Sequence, residues 1–172
     1  TGYTVGAHPI VAPGRGMIMS FVFDTASADD CERVWDLICQ LEKCRLPFEP
    51  FREMFAKQVK STHYCCLVAR EEADAPACAI LNLRFENQLH HAARVAEILE
   101  FIVDEPHRGK GIGAALLEEA QRVAKEMGCM QLEVTSNRTR TEAHGFYESQ
   151  GMVNSHVKLT LPFDEIDLED IS

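Results

Sequence analysis

The stretch that most constrains this chain is V-A-E-I-L-E-F-I-V-D-E-P-H-R-G-K-G-I-G, residues 95–113, which runs straight into an amphipathic segment. Val95 to Val103 reads as a strand, Asp104 to His107 as a connection, and Arg108-Gly109-Lys110-Gly111-Ile112-Gly113 as a glycine-rich turn opening a helix. First-turn N–H groups have no partner inside a helix and lie at its positive end, so such a turn can hold a phosphate oxygen. Arg108 and Lys110 add positive charge. Taken alone, the motif is at least as often a purely structural turn. Its glycine spacing does not fit the G-x-G-x-x-G of a dinucleotide fold, and Gly113 is followed by Ala114 rather than by the Lys of a Walker loop.

Around this stretch the chain alternates short strands and helices. Residues 1–16 hold four glycines and two prolines without periodicity, and read as a flexible leader or a cloning remnant outside the fold. Met17 to Asp24 reads as the first strand, and Ser27 as the cap of a helix over 28–43 with Cys31, Val34, Trp35, Ile38 and Leu41 on its core stripe. Pro50 sits in the first turn of a second helix carrying Phe51, Met54, Phe55 and Val59. Residues 63–70 and 77–85 form a predicted hairpin, followed by Gln88-Leu89-His90-His91 and the strand at 95–103. The helix after the turn covers 112–127 and ends at Gly128. Met130, Leu132 and Val134 then alternate with polar residues in a strand over 130–135, a short helix covers roughly 139–149, and Ser155 to Leu161 alternates again as a last strand. The order β, α, α, β, β, β, α, β, α, β implies a mixed sheet with helices on both faces.

The chain of 172 residues is long enough for one domain with its own core, expected over 17–163, and the acid-rich residues 164–172 read as a solvated tail. No apolar run approaches a membrane span and the N-terminus does not resemble a signal peptide, so the expected address is the cytoplasm. Seven cysteines without a C-x-x-C pair read as reduced, mostly buried thiols. A formal net charge of −10 argues against nucleic acid and favours a cationic substrate such as an amine.

Read together, Arg108-x-x-Gly111-x-Gly113 after the strand A-E-I-L-E-F-I-V, and Ala143-x-x-x-Tyr147-x-x-x-Gly151 after the next strand, resemble the GNAT superfamily of acetyl-CoA-dependent N-acetyltransferases. The element order matches over roughly residues 17–161. Within that superfamily the nearest pattern is that of the aminoalkylphosphonate N-acetyltransferases, through L-H-H at 89–91, A-E-I-x-E at 96–100, T-S-N at 135–137, A-H-x-F-Y at 143–147 and S-H at 155–156. The resemblance implies an α/β (α+β) GNAT fold: a mixed, mostly antiparallel six- to seven-stranded sheet, helices on both faces, and a central strand pair, 95–103 and 130–135, that splays apart.

It also implies roles. The backbone of Phe101, Ile102 and Val103 would pair with the pantetheine arm of acetyl-CoA, and Arg108, Gly109, Lys110, Gly111, Ile112, Gly113 and Ala114 would hold its pyrophosphate. A protonated amine must lose a proton before it attacks. Glu97, eleven residues before Arg108, is the first candidate base or water relay, and Glu100 the second. In a regular strand these two point to opposite faces, so both reach one site only across a bulge. Either could equally pair with a neighbouring cation. Tyr147 matches the family's usual acid for the leaving thiolate and touches the cofactor. Many members carry Asn three residues before the alanine, where this chain has Arg140, so the cofactor contact is carried to Asn137.

His90, His91, Arg138, Arg140 and His144, with Arg94, are candidates for an acceptor pocket or an anionic group, with a solvated role as the bland alternative. No metal-ligand spacing is present. The implied activity is direct transfer of acetyl from acetyl-CoA to a primary amine in a ternary complex, aminoalkylphosphonate-like as a first guess. The alternatives are a polyamine, amino-sugar or peptide amine, or a non-catalytic acetyl-CoA-binding module. Expected partners are acetyl-CoA and a small amine, without nucleic acid or membrane, and with a homodimer left open.

Overall fold

The computed structural model of the protein describes residues 7–11 and 18–163. Six strands form one sheet in the order β1 (Ala7–Val11), β2 (Ile18–Thr25), β3 (Tyr64–Arg70), β4 (Ala79–Gln88), β5 (Ala93–Val103) and β6 (Cys129–Val134). Every neighbour pair is antiparallel except β5 with β6, which is parallel. A parallel pair needs a crossover, and α3 (Ile112–Glu126) supplies it.

β1 lies inside the stretch expected to stand outside the fold. As an edge strand it accommodates Pro9, whose missing N–H would break an interior ladder. The rest of that leader, 1–6 and 12–17, and the acidic tail at 164–172 lie outside the described residues.

The described chain falls into two compact units that divide after Val134. In the first, α1 (Cys31–Glu42) and α2 (Phe48–Gln58) cover one face of the sheet. Val34, Leu37 and Ile38 of α1 and Phe55 of α2 pack on Val68, Ile80 and Ile102. The α1 entry is held by a capping box: Asp29 N–H donates to Ser27 Oγ at 3.3 Å and Ser27 N–H to Asp30 Oδ2 at 2.8 Å. Ile112, Leu116, Leu117, Ala120 and Val123 of α3 are buried against the other face. With both faces covered, Ala79 to Leu83 of β4 is buried without alternation. All seven cysteines are free thiols, with Cys39, Cys65 and Cys78 buried and Cys44 exposed. Burial pushes Cys65 and Cys78 each up to about 11.

The second unit contains α4 (Thr141–Ser149), which closes at Gly151 as the sequence implied. The strand expected at 155–161 does not form, and Val157, Leu159 and Leu161 are exposed. Alternation determines which side chains would share a face, but a strand also needs a neighbour for its N–H and C=O groups. Among the described residues none pairs with this segment.

Candidate active site

β5 is the spine of the site. At its centre β4 and β5 fall out of register: Asn82 pairs with Glu100, whereas Leu83 pairs with Ile98. Leu99 is the extra residue of a bulge, and a bulge shifts the side-chain alternation by one. Glu97 and Glu100, three residues apart, therefore project from the same face. Their partners agree, because Arg84 binds Glu97 at 2.5 Å and Asn82 binds Glu100 at 2.8 Å, and Asn82 and Arg84 stand two apart on β4. The bulge that the two carboxylates required is present.

The two carboxylates live in different surroundings. Glu97 is held in an ion pair by Arg84, which also stands 3.9 Å from Glu86. Glu100 has an amide neighbour: Asn82 Nδ2 donates to Glu100 Oε2 and, at 2.9 Å, to Gln58 Oε1 of α2. Burial pushes the Glu100 carboxyl above its ordinary value, the Asn82 hydrogen bond pulls it partly back, and the charge of Glu42 adds to the rise. Asn82 is itself buried, and among the described residues its side-chain oxygen has no hydrogen-bond partner. On β6, Glu133 pairs in register with Glu97 and so shares its face, and it accepts from Gln131 at 2.5 Å. Asn82, Arg84, Gln58, Gln131 and Glu133 were not singled out by the sequence. The signal for Asn82 was a polar residue inside the apolar run A-I-L-N-L.

The β5–β6 ladder stops at Ile98↔Val134, while β5 continues to Val103. This is the splay the fold implies, and it begins one residue before the bulge. Beyond Val103 a 3-10 turn (Glu105–His107) leads to the glycine-rich turn. Gly109 has φ +74° and Gly111, at the N-cap of α3, φ +82°. Both are left-handed, where a side chain is strained. Among the described residues no side chain caps α3, so the first-turn N–H groups from Ile112 through Ala114 have no intrahelical or side-chain partner there. Arg108 is turned back into the protein, donating from Nε to the Val103 carbonyl at 3.0 Å and from NH2 to Gln40 Oε1 at 3.2 Å.

His90 and His91 lie at the other end of β5, in the turn between β4 and β5, with their rings 4.1 Å apart. β5 has 11 residues, so this turn and the glycine-rich turn are separated by about 33 Å along the strand. His91 Nε2 stands 3.5 Å from Gln131 Nε2. Arg94, one strand position from this turn, donates to the Met127 carbonyl at 3.3 Å. The structure therefore groups neither histidine with the glycine-rich turn.

In the second unit, Asn137 uses its side-chain oxygen locally, accepting from Thr139 N–H at 3.0 Å and Thr139 Oγ1 at 2.9 Å. This is an Asx turn leading into α4. Arg138 is exposed, and Arg140 stands at the N-cap of α4. His144 and Tyr147 occupy one helix side, three residues apart. Tyr147 packs edge-on against Phe146, with ring centroids 5.5 Å apart. Burial pushes its phenol up to about 12, with Arg140 pulling in the other direction.

Among the described residues no helix is long and apolar enough to cross a membrane. Residues 20–152 match the acetyltransferase (GNAT) family. The chain is 34% identical over 137 residues to the aminoalkylphosphonate N-acetyltransferase of Salmonella typhimurium, covering 78% of this chain and 86% of that one. It is similar in structure to the glucosamine-6-phosphate N-acetyltransferase of Arabidopsis thaliana, with a TM-score of 0.70 at 23% identity over 84% of this chain and 99% of the other. A Bacillus halodurans protein described as a transcriptional regulator superposes with a TM-score of 0.76 at 25% identity, over 83% and 99% of the two chains. On the strength of the family match and the Salmonella relative, this chain belongs to the GNAT acetyltransferase family and is an acyltransferase, an N-acetyltransferase by its type.

Proposed function

We propose that the protein transfers acetyl from acetyl-CoA to the primary amine of a small molecule by direct attack, with Glu100 taking the amine proton. The observation that carries this reading is the bulge at Leu99, which sets Glu97 and Glu100 on one face beside the point where β6 leaves β5. The backbone at Phe101, Ile102 and Val103 takes the pantetheine arm as an added strand, and the turn from Arg108 to Ala114 holds the pyrophosphate with the uncapped amides of α3. Acetyl-CoA supplies the activated acyl group.

Glu100 is preferred over Glu97 because among the described residues no cation is paired with it. Its raised affinity for a proton suits a base that works near neutral pH. Glu97, bound to Arg84, is the less available acceptor and orders the same face. The unsatisfied Asn82 oxygen beside Glu100 accepts an N–H from the entering amine. Tyr147 protonates the departing thiolate: burial pushes its phenol up to about 12, so it carries its proton throughout the neutral range, and the tyrosinate left behind, the stronger base of the pair, is reprotonated from solvent. A covalent acetyl-enzyme is not needed when the amine itself attacks.

For the acceptor, the first reading is an aminoalkylphosphonate-like amine. Its support is the Salmonella relative, together with Arg84, whose Nε is buried on the carboxylate face without a hydrogen-bond partner among the described residues and suits the acceptor's anion. Arg138, Arg140 and His144 of the second unit are further candidates for that anion. A screen of free-thiol release from acetyl-CoA with aminoethylphosphonate, glucosamine 6-phosphate, a polyamine and a lysine peptide tests the proposal. Turnover fastest with the aminophosphonate supports it, turnover confined to the polyamine or peptide overturns the acceptor class, and no thiol release with any amine overturns the activity.

A further inference from the structure

Arg108 opens the turn assigned to the pyrophosphate, yet both of its polar contacts face inward, to the Val103 carbonyl and to Gln40 of α1. Gln40 spends the other end of its amide on Asp104, where Nε2 donates to Oδ1 at 3.0 Å. The second Asp104 oxygen takes Arg33 at 2.5 Å, and Arg33 Nε donates to the Ala77 carbonyl at 2.7 Å. The same oxygen stands 3.8 Å from His107 Nδ1, whose other ring nitrogen is 3.3 Å from Glu71. One glutamine thus bridges the two ends of the segment from Asp104 to Arg108 and ties both to a helix on the core.

We infer that Gln40 is a positioning residue for acetyl-CoA binding, holding the turn from Arg108 to Gly113 in the conformation that receives the pyrophosphate. This rests on the proposed role of that turn.

The need for such a tie follows from the backbone. Between Val103 and Ile112 the chain has only one 3-10 turn and two left-handed glycines, which by themselves leave the turn many conformations. Ordering them when the cofactor arrives would cost conformational entropy, and a turn already held avoids that loss.

The residue type fits the task. Gln40 stands between an anion and a cation and must donate to the first while accepting from the second, which a neutral amide does. A carboxylate would accept from Arg108 and repel Asp104, and an ammonium would do the reverse. Burial alone would raise the Asp104 carboxyl, but the hydrogen bonds from Gln40 and Arg33 outweigh it and hold it below the usual carboxylate value, so it stays an anion at neutral pH.

The test is calorimetric titration of CoA into the wild-type protein and into Gln40→Leu, Gln40→Glu, Gln40→Lys, Asp104→Asn and the double variant Gln40→Glu/Asp104→Asn, with melting temperatures and steady-state kinetics on each. Each single change should weaken CoA about tenfold, the equivalent of about 1.4 kcal/mol. The KM for acetyl-CoA should rise by the same factor, with kcat at saturation and the amine KM close to wild type. The double variant should recover affinity to within about threefold, because the exchanged pair keeps one donor and one acceptor between Arg33 and Arg108. Gln40→Glu binding CoA as tightly as wild type, or single variants that lose melting temperature with CoA affinity intact, would overturn the inference. A wild-type protein that takes up no CoA would instead overturn the assignment of the turn, and this inference with it.

Discussion

Glu100→Gln tests the site at its most specific point. The substitution keeps volume and shape, and the new amide oxygen still accepts from Asn82 Nδ2, which now stands 2.8 Å from Glu100. What disappears is the capacity to take a proton. A positioned base is worth about 10²–10⁴ in rate, or roughly 2.7–5.4 kcal/mol in the barrier. The expected result is a fall in kcat of that size, with the KM for acetyl-CoA unchanged. Stability should move the other way. The folded-state pKa of Glu100 is raised, so the group's contribution to stability is fully present below its ordinary value of 4.5 and is lost as pH rises through the folded value. Glutamine carries no such penalty. The variant should therefore melt at the same or a higher temperature than wild type at neutral pH, and the gap should close on acidification below 4.5. Thiol-release kinetics and calorimetric melting at the two pH values measure both effects. Retention of more than about a tenth of kcat, with a deep loss in Glu97→Gln instead, would refute the assignment, because the smallest loss a base should produce is about a hundredfold.

Glu97→Gln should lower kcat less than Glu100→Gln and cost under about 1 kcal/mol of stability, since its pair with Arg84 is partly open to solvent and screened; urea unfolding beside steady-state rates checks this. Tyr147→Phe should lower kcat by about 10²-fold or more while CoA affinity, read by titration, changes little. Because burial places the phenol at about 12, the wild-type rate should show no alkaline fall from its ionisation below that pH, and an earlier fall that disappears in Tyr147→Phe would refute the assignment. Gly111→Ala forces a side chain to φ +82°, costing about 1–2 kcal/mol in thermal unfolding, and should raise the acetyl-CoA KM.

Most of the fold could be read from the chain because its signals are periodic. The α3 stripe, its glycine end, the hairpin of β3 and β4 and the cap at Ser27 lie where spacing put them, within a few residues. β1 was hidden because Pro9 sits in a stretch whose glycines and prolines look like a leader, and only an edge position makes a proline compatible with a strand. The segment 155–161 misled in the opposite sense, because alternation carries no information about a partner. In the site, the glycine-rich turn was visible through its composition. The inward tie of Arg108 was not, because Gln40 lies on the polar side of α1, where a functional glutamine and a solvated one read alike.

The bulge was nearly legible, and its reason lies in the core. In a regular β5, Glu97 and Glu100 would face opposite ways, and Glu100 would enter the α3 side beside Ile98, among Leu81, Leu83 and Phe85, all buried. A carboxylate there would be desolvated without a partner, a cost larger than the local disruption of one ladder position. Taking Leu99 out of register keeps Ile98 against Leu83 on that side and returns Glu100 to Asn82 on the other. The bulged strand also bends at the place where β6 ends its pairing at Ile98. One residue thus answers two demands: it keeps charge out of the α3-side core, and it gathers both carboxylates of β5 at the mouth of the splay.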